Sequence, residues 1–170
     1  GKLNDGFSAS PISTDKTTNS YGAYDMWVVK LNNTGTVVWD KTIGGSANDY
    51  AVCIQQTKDG GYMVGGWSSS PGNGNKSENT NGVSDYWIVK LNSSGTIQWQ
   101  KSLGGSGEDI AWSIKQPIDC GYIVAGRSNS NDGDLNGNHC LPVLWIAKRY
   151  NNGPLQGQKT PGGSNVGDLG

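Results

Sequence analysis

The sequence is poor in the residues from which most catalytic and metal centres are built. In 170 residues it has one histidine (His139), three cysteines and a single phenylalanine, and only 16% of its residues are charged. A lone histidine excludes a zinc or copper centre of the usual two- or three-histidine type within this segment. Cys53, Cys120 and Cys140 form no CxxC pair, and their odd number and scatter suit substituted thiols rather than a disulfide framework. His139 beside Cys140 makes a poor thiolate–imidazole pair, because adjacent residues on a strand point to opposite faces. With 13 basic and 14 acidic residues and no like-charge run, the chain lacks the electrostatic footprint of a nucleic-acid or anionic-membrane binder. Its longest apolar stretch, residues 141–147, is far shorter than the roughly 20 residues of a spanning helix, so no membrane span is expected.

What is abundant is glycine, 27 of 170 residues. Together with the low charge this disfavours a helical bundle and suits a turn-rich all-β protein with many short strands. An internal repeat then dominates. Displaced by 60 residues, Gly22–Gly66 aligns with Gly82–Gly126 without a gap, with 23 of the 45 positions identical. The matches include Asp25/Asp85, Trp27/Trp87, Lys30/Lys90, Trp39/Trp99, Gly44-Gly45/Gly104-Gly105, Asp49/Asp109 and Asp59/Asp119. A third copy follows at an offset of 58, placing Trp145, Lys148, Gln158 and Gly162-Gly163 on Trp87, Lys90, Gln100 and Gly104-Gly105. The chain is a tandem array. Its repeat units divide as residues 1–50 (a partial unit and the start of the next), 51–110 (central) and 111–170 (third and degenerate).

Within one unit the pattern predicts four antiparallel strands joined largely by hairpins. In "DYWIVKLN", Trp87, Val89 and Leu91 share one face and Tyr86, Ile88 and Lys90 the other. In "TIQWQK", Ile97 and Trp99 are expected to face in together. Lys30, Lys90, Lys148 and the Lys41/Lys101/Lys159 set read as solvated. A sheet apolar on both faces is stable only between two others, which is the logic of a β-propeller blade of four strands. A β-solenoid is the rival, but its coils are shorter and lack these hairpin turns.

The paired glycines of "YMVGG" (residues 62–66), the spaced "DMW" and "DYW", and the Trp of "GTVVW" and "GTIQW" resemble the kelch motif. The run "DYWIVKLNSSGTIQWQKSLGGSGEDIAWSIKQ" is similar to repeats common in secreted bacterial multi-repeat propeller proteins. The resemblance implies a secreted, multi-repeat propeller architecture, which hosts enzymes, lectins, adhesins and scaffolds alike. The third copy departs from the pattern, since Gly157 replaces the Trp of Trp39 and Trp99 and Pro161 replaces Ile43 and Leu103. The chain holds slightly fewer than three repeats, so further blades of the same or a neighbouring chain are the expected partners.

Candidate sites are few. In "DGDLNG", Asp132, Asp134 and Asn136 at alternate positions before Gly137 resemble the start of a calcium loop. The later carboxylate is missing, with Cys140 and Val143 at positions nine and twelve, and a polar loop shaped by turn residues is the favoured explanation. Calcium is the one cofactor the pattern suits; otherwise none is expected. The repeated Asp25/Asp85, Asp49/Asp109 and Asp59/Asp119 invite a paired-carboxylate, glycosidase-like reading. One site per repeat is better explained by structure, with Asp49 and Asp109 accepting backbone N–H bonds at a strand start. Trp67, with Phe7 and Arg127 at equivalent positions, enters the long polar loop and offers a platform on which a sugar ring could stack. The sequons at Asn32, Asn75 and Asn92 are chance products of an Asn- and Ser-rich chain. The sequence therefore points to a non-enzymatic extracellular module, a scaffold or adhesive surface with carbohydrate as ligand. The alternative is part of a propeller enzyme acting on polysaccharide, with catalytic residues outside this segment.

Overall fold

The computed structural model of the chain describes residues 16–118, 121–135, 142–149 and 155–160. They form ten strands and no helix: β1 (Met26–Leu31), β2 (Val37–Ile43), β3 (Asp49–Gln56), β4 (Tyr62–Ser68), β5 (Asp85–Leu91), β6 (Ile97–Leu103), β7 (Asp109–Lys115), β8 (Tyr122–Ser128), β9 (Val143–Arg149) and β10 (Leu155–Lys159). All the strand pairs are antiparallel and sequential, giving sheets of β1-β2, β3-β4-β5-β6 and β7-β8-β9-β10. The second and third sheets begin at equivalent residues, Asp49 and Asp109.

The hairpins have a local cause. In the β1–β2 turn the Asn32 carboxamide oxygen accepts the Thr34 and Thr36 amides at 3.0 and 2.9 Å, and Gly35 takes φ +84°. The β5–β6 turn repeats this, with Asn92 accepting Ser94 and Thr96 at the same distances and Gly95 at φ +81°. An Asn side chain mimicking a backbone turn followed by a left-handed glycine closes a tight reversal. The turns after β1, β3, β5 and β7 lie at one end of the sheets. The polar connections after β2, β4, β6 and β8 lie at the other; those after β4 and β8 are long, whereas those after β2 and β6 are as short as the hairpin turns.

The sheets stack face to face through two apolar seams. In the first, Met26, Val28 and Ile43 of the first sheet meet Val64, Trp87, Val89 and Leu91 of the second. In the second, Met63, Tyr86, Ile88 and Leu103 meet Ala111, Ile114, Tyr122, Val124, Val143, Trp145 and Ala147 of the third. The alternation in β5 is the one expected, and all seven of its residues are buried.

Two expectations are corrected. Ile97 and Trp99 do not share a face. The β5–β6 register pairs Leu91 with Ile97 but Lys90 with Trp99, so a bulge at Gln98 sends Ile97 into the first seam and Trp99 into the second. Trp39 is paired likewise with Lys30 and packs edge-on against Tyr62, with centroids 5.6 Å apart, as Trp99 packs on Tyr122. Nor is Lys90 solvated. It is 3% exposed, bonded to the Leu91 carbonyl at 2.9 Å and the Gln98 carboxamide at 3.0 Å, and ion-paired with Asp59 at 2.9 Å. The Thr57 hydroxyl and then Lys90 hold the Asp59 carboxyl down at about 2.

Gly157 is now intelligible. It pairs with Lys148 as Trp99 pairs with Lys90, and a Cβ there would meet nothing within 4 Å. Trp39 and Trp99 are needed because a following sheet supplies Tyr62 or Tyr122 to pack on; among the described residues no sheet follows the third.

The outer strands β2 and β6 are edges, and their loops cover them. The Thr17 amide donates to Asp40 at 2.9 Å and the Thr42 amide to Thr18 Oγ1 at 3.2 Å. Along β6, the Ser102 amide donates to Glu78 at 2.9 Å and Gln100 Nε2 to the Asn75 carbonyl at 2.8 Å. Lys76, also buried, donates to Ser102 Oγ at 2.9 Å. Occupied edges and buried lysines suppress strand addition by other chains.

Candidate functional site at the loop end

The long connections converge where each sheet hands over to the next. At the first seam, Gly45 N donates to Asp49 Oδ2 at 2.7 Å, Ser70 Oγ donates to the same oxygen at 2.7 Å, and Ala47 N donates to Ser70 Oγ at 2.9 Å. Sixty residues on, Gly105 N and Ser130 Oγ reach Asp109 Oδ2 at 2.9 and 2.8 Å, and Gly107 N reaches Ser130 Oγ at 2.9 Å. Asp49 and Asp109 thus accept backbone N–H groups as expected. Asp85 and Asp109 both flank Gly104, and both are fully buried, so they are closed to a polysaccharide.

Asp132 and Asp134 take part in the same handover. Asp132 Oδ1 accepts the Ser106 amide at 2.7 Å, Asp134 Oδ2 accepts the Gly104 amide at 3.1 Å, and the Asp134 amide returns to the Gly104 carbonyl at 3.0 Å. The Ser106 amide, then its hydroxyl, holds the Asp132 carboxyl below the usual carboxylate range. The middle repeat does the same with carboxamides. Asn73 Oδ1 accepts Ser46 N and Asn75 Oδ1 accepts Gly44 N, both at 2.8 Å, while Asn75 N returns to Gly44 O at 3.1 Å. Gly74 and Gly133 occupy the left-handed region between the paired residues, at φ +61° and +67°. The two clasps, Asn-Gly-Asn and Asp-Gly-Asp, are 59 residues apart, so the 60-residue alignment hid their equivalence. Asn136 lies outside the described residues, as do His139, Cys120 and Cys140. Among the described residues no group of three or more His, Cys, Asp or Glu side chains is arranged to hold a metal ion. Cys53 is a free thiol that burial pushes up to about 11, well away from a reactive thiolate.

Trp67 stands in an aromatic ladder at this same end. Its ring stacks on Tyr50 at 4.1 Å and 20°, and Tyr50 in turn meets Tyr24 at 5.8 Å. Tyr24 and Tyr21 keep 40% and 50% of their surface exposed, beside the Asn- and Ser-rich loop. Strand pairing explains the first contact, since Tyr50 lies directly opposite Trp67 on the β3–β4 ladder. Tyr24 is brought in by its bridge to Asn48. Sequence reasoning found Trp67 but missed Tyr24 and Tyr50, whose signal was their position next to the repeated Asp25 and Asp49. In the next sheet the equivalents are Ser84, Ile110 and Arg127, and Arg127 is ion-paired with Glu108. The repeats therefore agree at the clasp and diverge at the ladder. Phe7 lies outside the described residues. A separate cavity of about 290 Å³ opens between β2 and the β5–β6 turn, lined by Lys41, Thr42, Asn75 and Thr96 among others.

No protein-family model matches the chain, and no curated protein sequence matches it.

Proposed function

We propose that the chain is a run of kelch-like β-propeller blades that acts outside the cell as a rigid, non-enzymatic scaffold and binds carbohydrate at its loop end. The observation that carries the ligand is the Tyr24–Tyr50–Trp67 ladder, in which Tyr24 is exposed and Tyr50 and Trp67 are half-buried, next to the Asn- and Ser-rich loop. Sugar C–H faces stack on such rings while amides and hydroxyls pair with sugar hydroxyls. The divergence of the next repeat at these positions supports the same reading, because a purely architectural role would be the same in each sheet.

The propeller reading rests on the two-faced sheets. Leu91 is buried against the first sheet, whereas Leu31, its equivalent, is 47% exposed. A further sheet of the same kind is the natural cover for that face. Mass measurement in solution tests this: self-association of the chain is expected, and a stable isolated monomer with both outer faces bare overturns it.

For the ligand, the expected result is binding of neutral oligosaccharides on a glycan array, lost in part on substituting the ladder. An aromatic contact is worth about 0.5–1.5 kcal/mol beyond area burial, so Trp67→Ala should weaken binding up to about tenfold. Arg127→Ala should leave that binding unaltered. A full array with no hit, or equal affinity in the Trp67 variant by calorimetry, refutes the carbohydrate reading.

A further inference from the structure

The two seams use the same clasp with different charge. Around Gly44-Gly45 stand two aspartates, Asp25 and Asp49, and two asparagines, Asn73 and Asn75. Around Gly104-Gly105 stand four aspartates: Asp85, Asp109, Asp132 and Asp134. Asp109 has partners on both oxygens, the Gly105 amide and Ser130 hydroxyl on one and the Ser128 hydroxyl on the other. Asp132 and Asp134 accept backbone amides. Asp85 is different. Its Oδ2 accepts the Asn81 amide at 2.9 Å, but its Oδ1 has no partner although the residue is 0% exposed. That bare oxygen and Asp109 Oδ2 lie 2.6 and 2.5 Å from the point where a Cβ on Gly104 would sit. The charged groups acting on Asp85 are Asp109, Asp134 and Lys76. The Lys76 ammonium is already engaged by Ser102 Oγ, Thr80 Oγ1 and the Glu78 carbonyl, and Arg149 acts on Asp134 and Glu78.

An ionised carboxylate with a buried, unbonded oxygen facing a second carboxylate is relieved most simply by a proton. We propose that the seam between the second and third sheets binds one proton, on Asp85 beside Asp109, and that Asp134 helps to set the pH at which it does so. The proton removes a buried charge and provides a donor where none exists. Burial is the largest influence on Asp85; the Asn81 amide and Lys76 oppose it, Asp109 and Asp134 reinforce it, and the carboxyl is pushed up to about 6 from its ordinary 3.8. Since the folded value lies above the unfolded one, the added stability is complete below the ordinary value and lost as the pH rises through about 6. The seam tightens in mildly acidic surroundings and loosens at neutrality. Its counterpart, Asp25, is raised by burial and by Asp49 but opposed by the Tyr21 and Gly22 amides and the Ser20 hydroxyl; with asparagines in its clasp, it has fewer negative neighbours.

The first seam also supplies the test. Asn73 and Asn75 show that carboxamides make the same clasp, so Asp132→Asn with Asp134→Asn keeps the acceptor oxygens while removing two charges. The expected result, by carboxyl NMR titration and thermal melts of the full chain between pH 4 and 8, is that Asp85 titrates near 6 and the melting temperature falls as the pH rises. The double variant should move both midpoints to lower pH, and Asp85→Asn should flatten the melting profile over that range. Titration of Asp85 in the ordinary carboxylate range, or midpoints unmoved in the double variant, overturns the proposal. So does a rise in melting temperature with millimolar calcium at pH 7.5 that the double variant lacks, because a metal ion would then neutralise the cluster.

Discussion

Trp87→Ala is expected to destabilise the protein by about 3–5 kcal/mol, the range found when a large aromatic is truncated in a packed core. Trp87 is fully buried, donates its indole N–H to Gln100 at 3.1 Å and lies against Met26, Val28 and Ile43 of the neighbouring sheet. The Lys76 ammonium stands 5.7 Å from its ring, so truncation also strips a buried cation of its aromatic partner. Trp145→Ala should cost a similar amount at the other seam, where the indole bonds Gln158 at 2.8 Å and the ring meets Tyr86 at 4.8 Å. Trp27→Ala should cost distinctly less, because the same repeat position in the first sheet is only half-buried. Urea unfolding followed by circular dichroism measures all three. Equal losses would mean that the seams are not what holds the sheets in place.

A second large effect is expected where the backbone itself leaves no room. Gly66 and Gly126 occupy equivalent places in β4 and β8, each beside a bulge in the neighbouring strand, at Val52 and Trp112. The bulge brings a carbonyl across the ladder. A Cβ on Gly66 would lie 1.8 Å from the Tyr50 oxygen and one on Gly126 2.0 Å from the Ile110 oxygen. Neither oxygen can retreat without breaking strand pairing. Gly66→Ala and Gly126→Ala should therefore each cost about 3 kcal/mol, the upper part of the usual overpacking range. Gly65→Ala is the internal control. Its Cβ would press only on the Cys53 thiol, and the third sheet already carries alanine, Ala125, at that place opposite Ser113. Gly157→Ala should be neutral, since nothing lies within 4 Å of the new methyl. Melting temperatures of the four variants separate the cases; a tolerated Gly66→Ala would show that the bulge is not rigid.

The architecture was legible because the repeat supplied the same message more than once. A 60-residue offset with matching tryptophans located the strands, and strict alternation in Asp85–Leu91 assigned both faces correctly. What escaped depended on backbone irregularity or on distant partners. Ile97 and Trp99 are two residues apart, so period two places them together, and only the bulge at Gln98 parts them. Lys90 looks solvated by composition, and its burial depends on Asp59, a turn residue from the preceding hairpin. The Asp132 and Asp134 pair drew attention as a calcium pattern, whereas the one-residue shift that aligns it with Asn73 and Asn75 was invisible without coordinates. Trp67 was identified by type and loop position; the stacking that gives it meaning requires knowing that Tyr50 faces it across the ladder.

The clasp has a consequence for how such arrays grow. Among the described residues the central unit carries both halves of a joint, a loop that grips backward (Asn73 and Asn75) and a glycine turn that the next loop grips (Gly104-Gly105). Excising residues 51–110 would bring Asp132 and Asp134 to the amides of Ser46 and Gly44, which the carboxylates can accept as the asparagines do. Loss of that unit would therefore leave the clasp hydrogen bonds matched, so the number of sheets can change without a new joint.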